Sequence, residues 1–212
     1  MTGSTFTGNN VEGGGGLYNN GGTTTVSDST FTDNSAGIDG GGICSDAGVV
    51  IVNNTTFTGN SAFGNGGAVF VSSSGSGTAP GMTVTDSTFT DNCGFDGGGI
   101  FNDDGSTLVV TGSAFLNNSA SNGTYGIGYG GGIFNFGTAA VSNSTFTSNA
   151  ASNGGGIFNT LDYGGAGVLT ITGSTFTNNS VTVNSNPVGP GGPCNGAGGG
   201  VCNEGIAMVT NP

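Results

Sequence analysis

The side chains able to do acid–base chemistry in this chain are few. There are twelve carboxylates and four cysteines, with no Lys, Arg or His. Asp28 with Asp33 and Asp86 with Asp91 recur at one spacing, in "SDSTFTDN" and "TDSTFTDN", and Asp103 adjoins Asp104. Two carboxylates held about 6.5–9.5 Å apart, one with a raised pKa, suit inverting glycoside hydrolysis. The first two pairs, however, flank threonines that face outward in a strand, and Asp103 and Asp104 in a strand would point to opposite faces. A polysaccharide lyase would need a cationic base or charge neutraliser, and the chain has none. The chain is therefore read as non-enzymatic, with a carbohydrate-binding or -degrading β-helix as a further alternative.

No cofactor is expected. Clustered carboxylates and carbonyls could hold calcium, yet neither an EF-hand nor a nonapeptide calcium repeat occurs. Cys44, Cys93, Cys194 and Cys202 fit no metal spacing. Cys194 and Cys202 flank a Gly-rich loop; they either form a local disulfide in an oxidising compartment or stand as two buried thiols. The glycine runs resemble a phosphate-binding loop only superficially, because no helix and no Lys follow.

The missing cations also exclude partners. Nucleic acids and anionic membrane surfaces are held chiefly through Lys and Arg, so neither is expected. No run of eighteen apolar residues is present, which argues against membrane insertion, and the first twenty residues show no signal-peptide pattern. Only 6% of residues are charged, for a net charge of −12. Such a surface opposes self-association weakly.

Composition alone, with 48 glycines in 212 residues, would fit disorder, but apolar residues reach 33% and recur at fixed places. Phe followed three residues later by Asn occurs at Phe6, Phe31, Phe57, Phe89, Phe115, Phe146 and Phe176, with Asn9, Asn34, Asn60, Asn92, Asn118, Asn149 and Asn179. A glycine pair and a branched apolar residue follow each copy, at Leu17, Ile43, Val69, Ile100, Ile133, Ile157 and Val201. Five residues before each Phe stands Met1, Val26, Val52, Val84, Val110, Val141 or Ile171, and Val209 opens the pattern again.

Each unit thus holds three short apolar segments between turn formers, rich in Thr, Val, Ile and Phe, which favour strands. The expected fold is all-β: a single right-handed parallel β-helix over 1–212, with three strands per coil and about seven coils. Loop insertions are expected at 72–81, 121–129, 160–167 and 184–198. Stacking places Phe on Phe in a core column and Asn on Asn in an amide ladder. One coil cannot offset the entropy of ordering itself, whereas an array shares its faces.

The paired Gly-Gly-x-[Ile/Leu/Val] and Phe-x-x-Asn motifs, as in "STFTDNSAGIDGGGICSD" and "STFTSNAASNGGGIFN", resemble those of the chlamydial polymorphic outer-membrane proteins. They are also similar to repeats of large right-handed β-helix surface proteins of environmental bacteria. The resemblance implies a solenoid exported to the cell surface and used for adhesion or as a stalk. The polymorphic proteins also carry a C-terminal membrane barrel, and no segment here corresponds to one.

Two surfaces follow from this fold. Thr5, Thr7, Thr30, Thr32, Thr56, Thr58, Thr88, Thr90, Thr145, Thr147, Thr175 and Thr177 form two outward rows, broken in the fifth coil by Ala114 and Leu116. Regular threonine rows resemble the ice-binding faces of insect antifreeze solenoids, which makes ice binding the alternative function. The ends carry no evident cap: Met1 begins in the Val column and "AMVTNP" stops as another coil opens. Either the chain is part of a longer solenoid or surface stalk, or copies stack head to tail into a filament; the expected partners are further copies of the chain, and cell-surface glycans or proteins. An extracellular structural or adhesive module is the leading functional expectation.

Overall fold

Two columns of residues in the left-handed backbone region bracket every Phe-bearing strand. Gly3, Asp28, Asn54, Asp86, Gly112, Asn143 and Gly173 precede it, and Gly8, Asp33, Gly59, Asp91, Asn117, Ser148 and Asn178 follow it, all with φ between 45° and 65°. Glycine, Asn and Asp are the residues that tolerate this conformation, and one such residue turns a strand sharply. The intervening strand is thereby held to three residues, as in Thr30–Thr32.

The computed structural model describes residues 1–73, 80–121, 127–162, 165–182 and 198–210. The second coil runs through the strands Thr30–Thr32, Ser35–Ala36, Ile43–Asp46 and Val49–Asn53. Repetition of this unit builds four parallel sheets of seven strands each. We call them the Phe sheet, the short sheet, the Ile sheet and the Val sheet. Their register joins like to like: Phe6↔Phe31↔Phe57 and Val52↔Val84↔Val110. The outermost strands of each sheet have one neighbour, which leaves five coils stacked on both sides (seven strands less two).

The solenoid therefore has four strands per coil where the sequence suggests three. The extra strand is the two-residue segment after the Phe strand, Ser35–Ala36 and its equivalents. In the inner coils it carries only small side chains, which do not reveal it; Ala36, Ala62, Ala120 and Ala151 are buried, and only the end coils have valine there, Val11 and Val181. The left-handed residue at Asp33 and its equivalents separates it from the Phe strand.

The core is a set of columns along the axis. Phe31, Phe57, Phe89, Phe115 and Phe146 are buried, and successive rings from Phe6 to Phe176 stack with centroids 4.6–4.9 Å apart. This spacing is that of neighbouring strands, so in-register pairing alone stacks the rings. Phe6, Leu17, Phe176 and Val201, all in the end coils, are only partly buried. Gly42 shows why glycine precedes the Ile strand: a Cβ there would lie 2.8 Å from the Ala68 carbonyl oxygen and 3.1 Å from Phe57 Cδ1.

Polar lines run beside the apolar columns. Asn34 donates to Asn60 Oδ1 from its backbone N at 3.2 Å and its Nδ2 at 2.9 Å, and the same Nδ2 donates to the Phe6 carbonyl at 3.0 Å. The pattern continues from Asn9 to Asn179, always with the earlier coil donating. A second line is formed by the residue before the Phe strand: Ser4, Ser29, Thr55, Ser87, Ser113 and Ser144 each donate a backbone N–H to the hydroxyl of the next coil.

The expected insertions interrupt the path on both sides of the Ile sheet. The one at 160–167 includes an antiparallel pair, Leu161–Asp162 with Gly165–Ala166. Residues 74–79, 122–126, 163–164 and 183–197, which make up much of the four expected insertions, lie outside the described residues.

Candidate binding groove and threonine face

The outward threonines fall in two rows on the Phe sheet. One runs Thr5, Thr30, Thr56, Thr88, Ala114, Thr145, Thr175 and the other Thr7, Thr32, Thr58, Thr90, Leu116, Thr147, Thr177. Each is exposed or partly so. The face is three residues wide and bounded by the left-handed corners. Leu116, 37% exposed, interrupts it with an apolar side chain.

The acids suspected of pairing occupy those corners. Asp28, Asp33, Asp86 and Asp91 are exposed and have left-handed backbones, so the turn accounts for their recurrence. Asp28 accepts a hydrogen bond from Asn54 Nδ2 at 2.7 Å across coils. Asp103 and Asp104 lie beyond the strand Ile100–Asn102, not within one. Asp103 is partly buried and faces a groove, while Asp104 is exposed and accepts a bond from Gly105 N.

That groove lies over the outer face of the Ile sheet. In each strand the residue after the core Ile points away from the core, giving the register column Tyr18, Cys44, Phe70, Phe101, Phe134, Phe158 and Cys202. The rings from Phe70 to Phe158 stack at 4.6–5.5 Å, and Tyr129 stacks on Phe158 at 5.0 Å. A second small hydrophobic cluster thus forms outside the solenoid wall. Cys202 is disulfide-bonded, Cys44 and Cys93 are free thiols, and Cys194 lies outside the described residues.

Towards the N-terminal coils the column opens into a groove of about 620 Å³. Its floor includes Tyr18, Cys44 and Phe70, and its rims carry Glu12, Asp39, Asp46 and Asp103. Asp39 accepts from Asn65 N at 2.6 Å, and Asp46 from Ser72 Oγ at 3.0 Å. Burial pushes the carboxyls of Asp39 and Asp103 up, against backbone hydrogen bonds that lower them. Burial, helped by Asp39 and Asp46, pushes the Cys44 thiol up to about 12, leaving it a poor nucleophile. Further along, Asp96 accepts from Tyr129 N at 2.7 Å and burial pushes it up to about 7. Among the described residues no three Cys, Asp or Glu side chains converge as a metal site.

Sequence reasoning missed this outer column and the polar line beside it. Asn102 Nδ2 donates to Asn135 Oδ1, Asn135 to Asn159 and Asn159 to Asn203, at 2.6–2.7 Å. The signal was "IFN", present three times after a glycine run. Alternation puts its Ile in the core and its Phe outside.

Residues 28–46 and 54–72 match the Chlamydia polymorphic membrane protein repeat. Two coils of this chain carry that repeat. Each matched segment spans one Phe strand, one short strand and one Ile strand, omitting the Val strand. With the parallel solenoid, the chain is polymorphic-membrane-protein-like in both repeat and fold. No curated protein and no solved structure matches the chain.

Proposed function

We propose that this chain is a non-enzymatic scaffold of the cell surface, an adhesive solenoid module that associates end to end with further copies. The polymorphic membrane protein repeat supports the surface location and the adhesive class. The observation that carries the association is the polarity of the asparagine ladder. Every coil donates to Oδ1 of the coil that follows it, so Asn179 presents donors at one end and Asn9 presents its Oδ1 at the other. The apolar columns meet in the same arrangement, Phe176 against Phe6 and Val201 against Leu17. Such a contact is heterologous and does not close, so it extends into a filament. Thr2 bridges Ser27 where the last strand of a preceding copy would lie, so that short segment must swing aside. Sedimentation velocity over a concentration series tests the proposal. Growth of species heavier than the 20.2 kDa chain is expected, and a single 20.2 kDa species throughout would refute it.

The register of threonine on threonine favours one further reading, ice binding through the Phe sheet. Any solenoid built on "STFT" produces such rows, and Ala114 and Leu116 break them. Thermal hysteresis in dilute solution would support ice binding, and freezing without hysteresis would remove it.

A further inference from the structure

The groove over the outer aromatic column presents an apolar floor between acidic rims, in a chain without a single side-chain cation. Tyr18 is 53% exposed and Phe70 partly so, which leaves two aromatic faces in contact with solvent. Glu12 and Asp39 stand on the side where the chain enters the Ile sheet, and Asp46 and Asp103 on the side where it leaves. Asp39 and Asp103 lose hydration there, which is why their carboxyls are pushed up. A carboxylate in that setting gains from an opposite charge, and with no Lys, Arg or His in the sequence the charge must come from another molecule.

The shape of the charge distribution selects among cations. The acids do not converge as a metal site but spread from the first coil to the fourth. Three coil spacings amount to roughly 14 Å along the axis, the length of about four residues of extended chain. We propose that this groove docks an extended basic peptide segment of another protein, with guanidinium groups lying against Tyr18 and Phe70 and reaching the carboxylates on both rims. Arginine suits the site because its planar head stacks on an aromatic ring while pairing with a carboxylate. The proposal goes beyond the end-to-end reading and does not depend on it.

The test uses a fluorescein-labelled hexa-arginine peptide and the full chain, by fluorescence anisotropy at low and moderate salt. The parent chain is expected to bind, and hexa-glutamate is expected not to. Asp39→Asn with Asp103→Asn should weaken binding at least tenfold, and Tyr18→Ala severalfold. A control variant, Asp28→Asn with Asp86→Asn, removes the same charge from exposed corners and should change binding less than threefold. Circular dichroism melts identify any variant that has lost its fold, and Asp39→Asn alone then serves in place of the double variant. No binding by the parent, or equal losses in groove and corner variants, would overturn the proposal. Neither result bears on filament growth, which is read by sedimentation without peptide.

Discussion

Val209 pairs in register with Ile171 on the strand before it, yet Val209 is 68% exposed and Ile171 only 2%. The same column position is core in one coil and solvent-facing in the next. Ile206 and Met208 of the same last strand stand in outward-facing columns and are also exposed, at 61% each. An apolar, unpaired edge of this kind is a template for another strand. The neighbour it fits best is one with the same columns, which is another coil of this repeat.

The asparagine ladder should be a main source of stability. Asn92 is fully buried, accepts from Asn60 N and Nδ2 at 3.0 Å, and donates to Phe57 O and Asn118 Oδ1. Asn92→Ala leaves a buried Asn60 amide without its acceptor, at about 3–5 kcal/mol for the several bonds involved. Urea titration should show this loss, while Asn54→Gly, which removes one exposed bond and keeps the left-handed turn, should cost less than about 1 kcal/mol.

A break in the polar line beside the outer aromatic column gives a prediction of opposite character. The register runs Asn19, Ser45, Val71, Asn102, so Val71 interrupts a column of polar side chains. Asn102 Oδ1 above it is buried with no hydrogen-bond partner. Val71→Asn would place an amide where it can donate to that oxygen, following the direction of the rest of the line. Its gain should offset most of the lost apolar burial, for a net change within about 1 kcal/mol. Val110→Asn, in a column with no such acceptor, should cost about 3 kcal/mol or more. Equal destabilisation of the two variants would contradict the assignment.

Legibility in the sequence followed side-chain size. Phe, Ile and Val recur visibly, so their columns and the parallel stacking could be read from "STFT" and "GGGI". The two-residue strand at Ser35–Ala36 was not legible, because alanine and serine carry no pattern of their own, and four strands per coil were read as three. Asp28 and Asp33 looked like a candidate acid pair because their recurrence is real, but its cause is a backbone φ near 50°. The groove escaped notice because Glu12, Asp39 and Asp103 occupy different positions in their coils. Only stacking brings them around Tyr18 and Phe70.

Asp96 should make stability depend on pH. Burial holds its carboxyl at about 7 in the folded chain, above the ordinary carboxylate value of 3.8, so the folded chain binds the extra proton between those limits. Stability should therefore fall as pH rises from about 4 to about 7 and stay low above that. Asp96→Asn keeps an oxygen to accept from Tyr129 N and carries no charge. It should melt together with the parent at pH 4 and be more stable at pH 8, by on the order of 1–3 kcal/mol. Thermal melts at the two pH values check the sign.

The central claim is that the repeat register continues from one molecule into the next. Negative-stain electron microscopy of the purified chain at rising concentration, beside Val209→Asp with Ile206→Asp, tests it most directly. Unbranched filaments one solenoid wide are predicted for the parent, lengthening with concentration, and short single particles for the variant, whose charged edge strand repels a following coil. Short particles of uniform size from the parent at every concentration, or filaments of the same length from the variant, would contradict it.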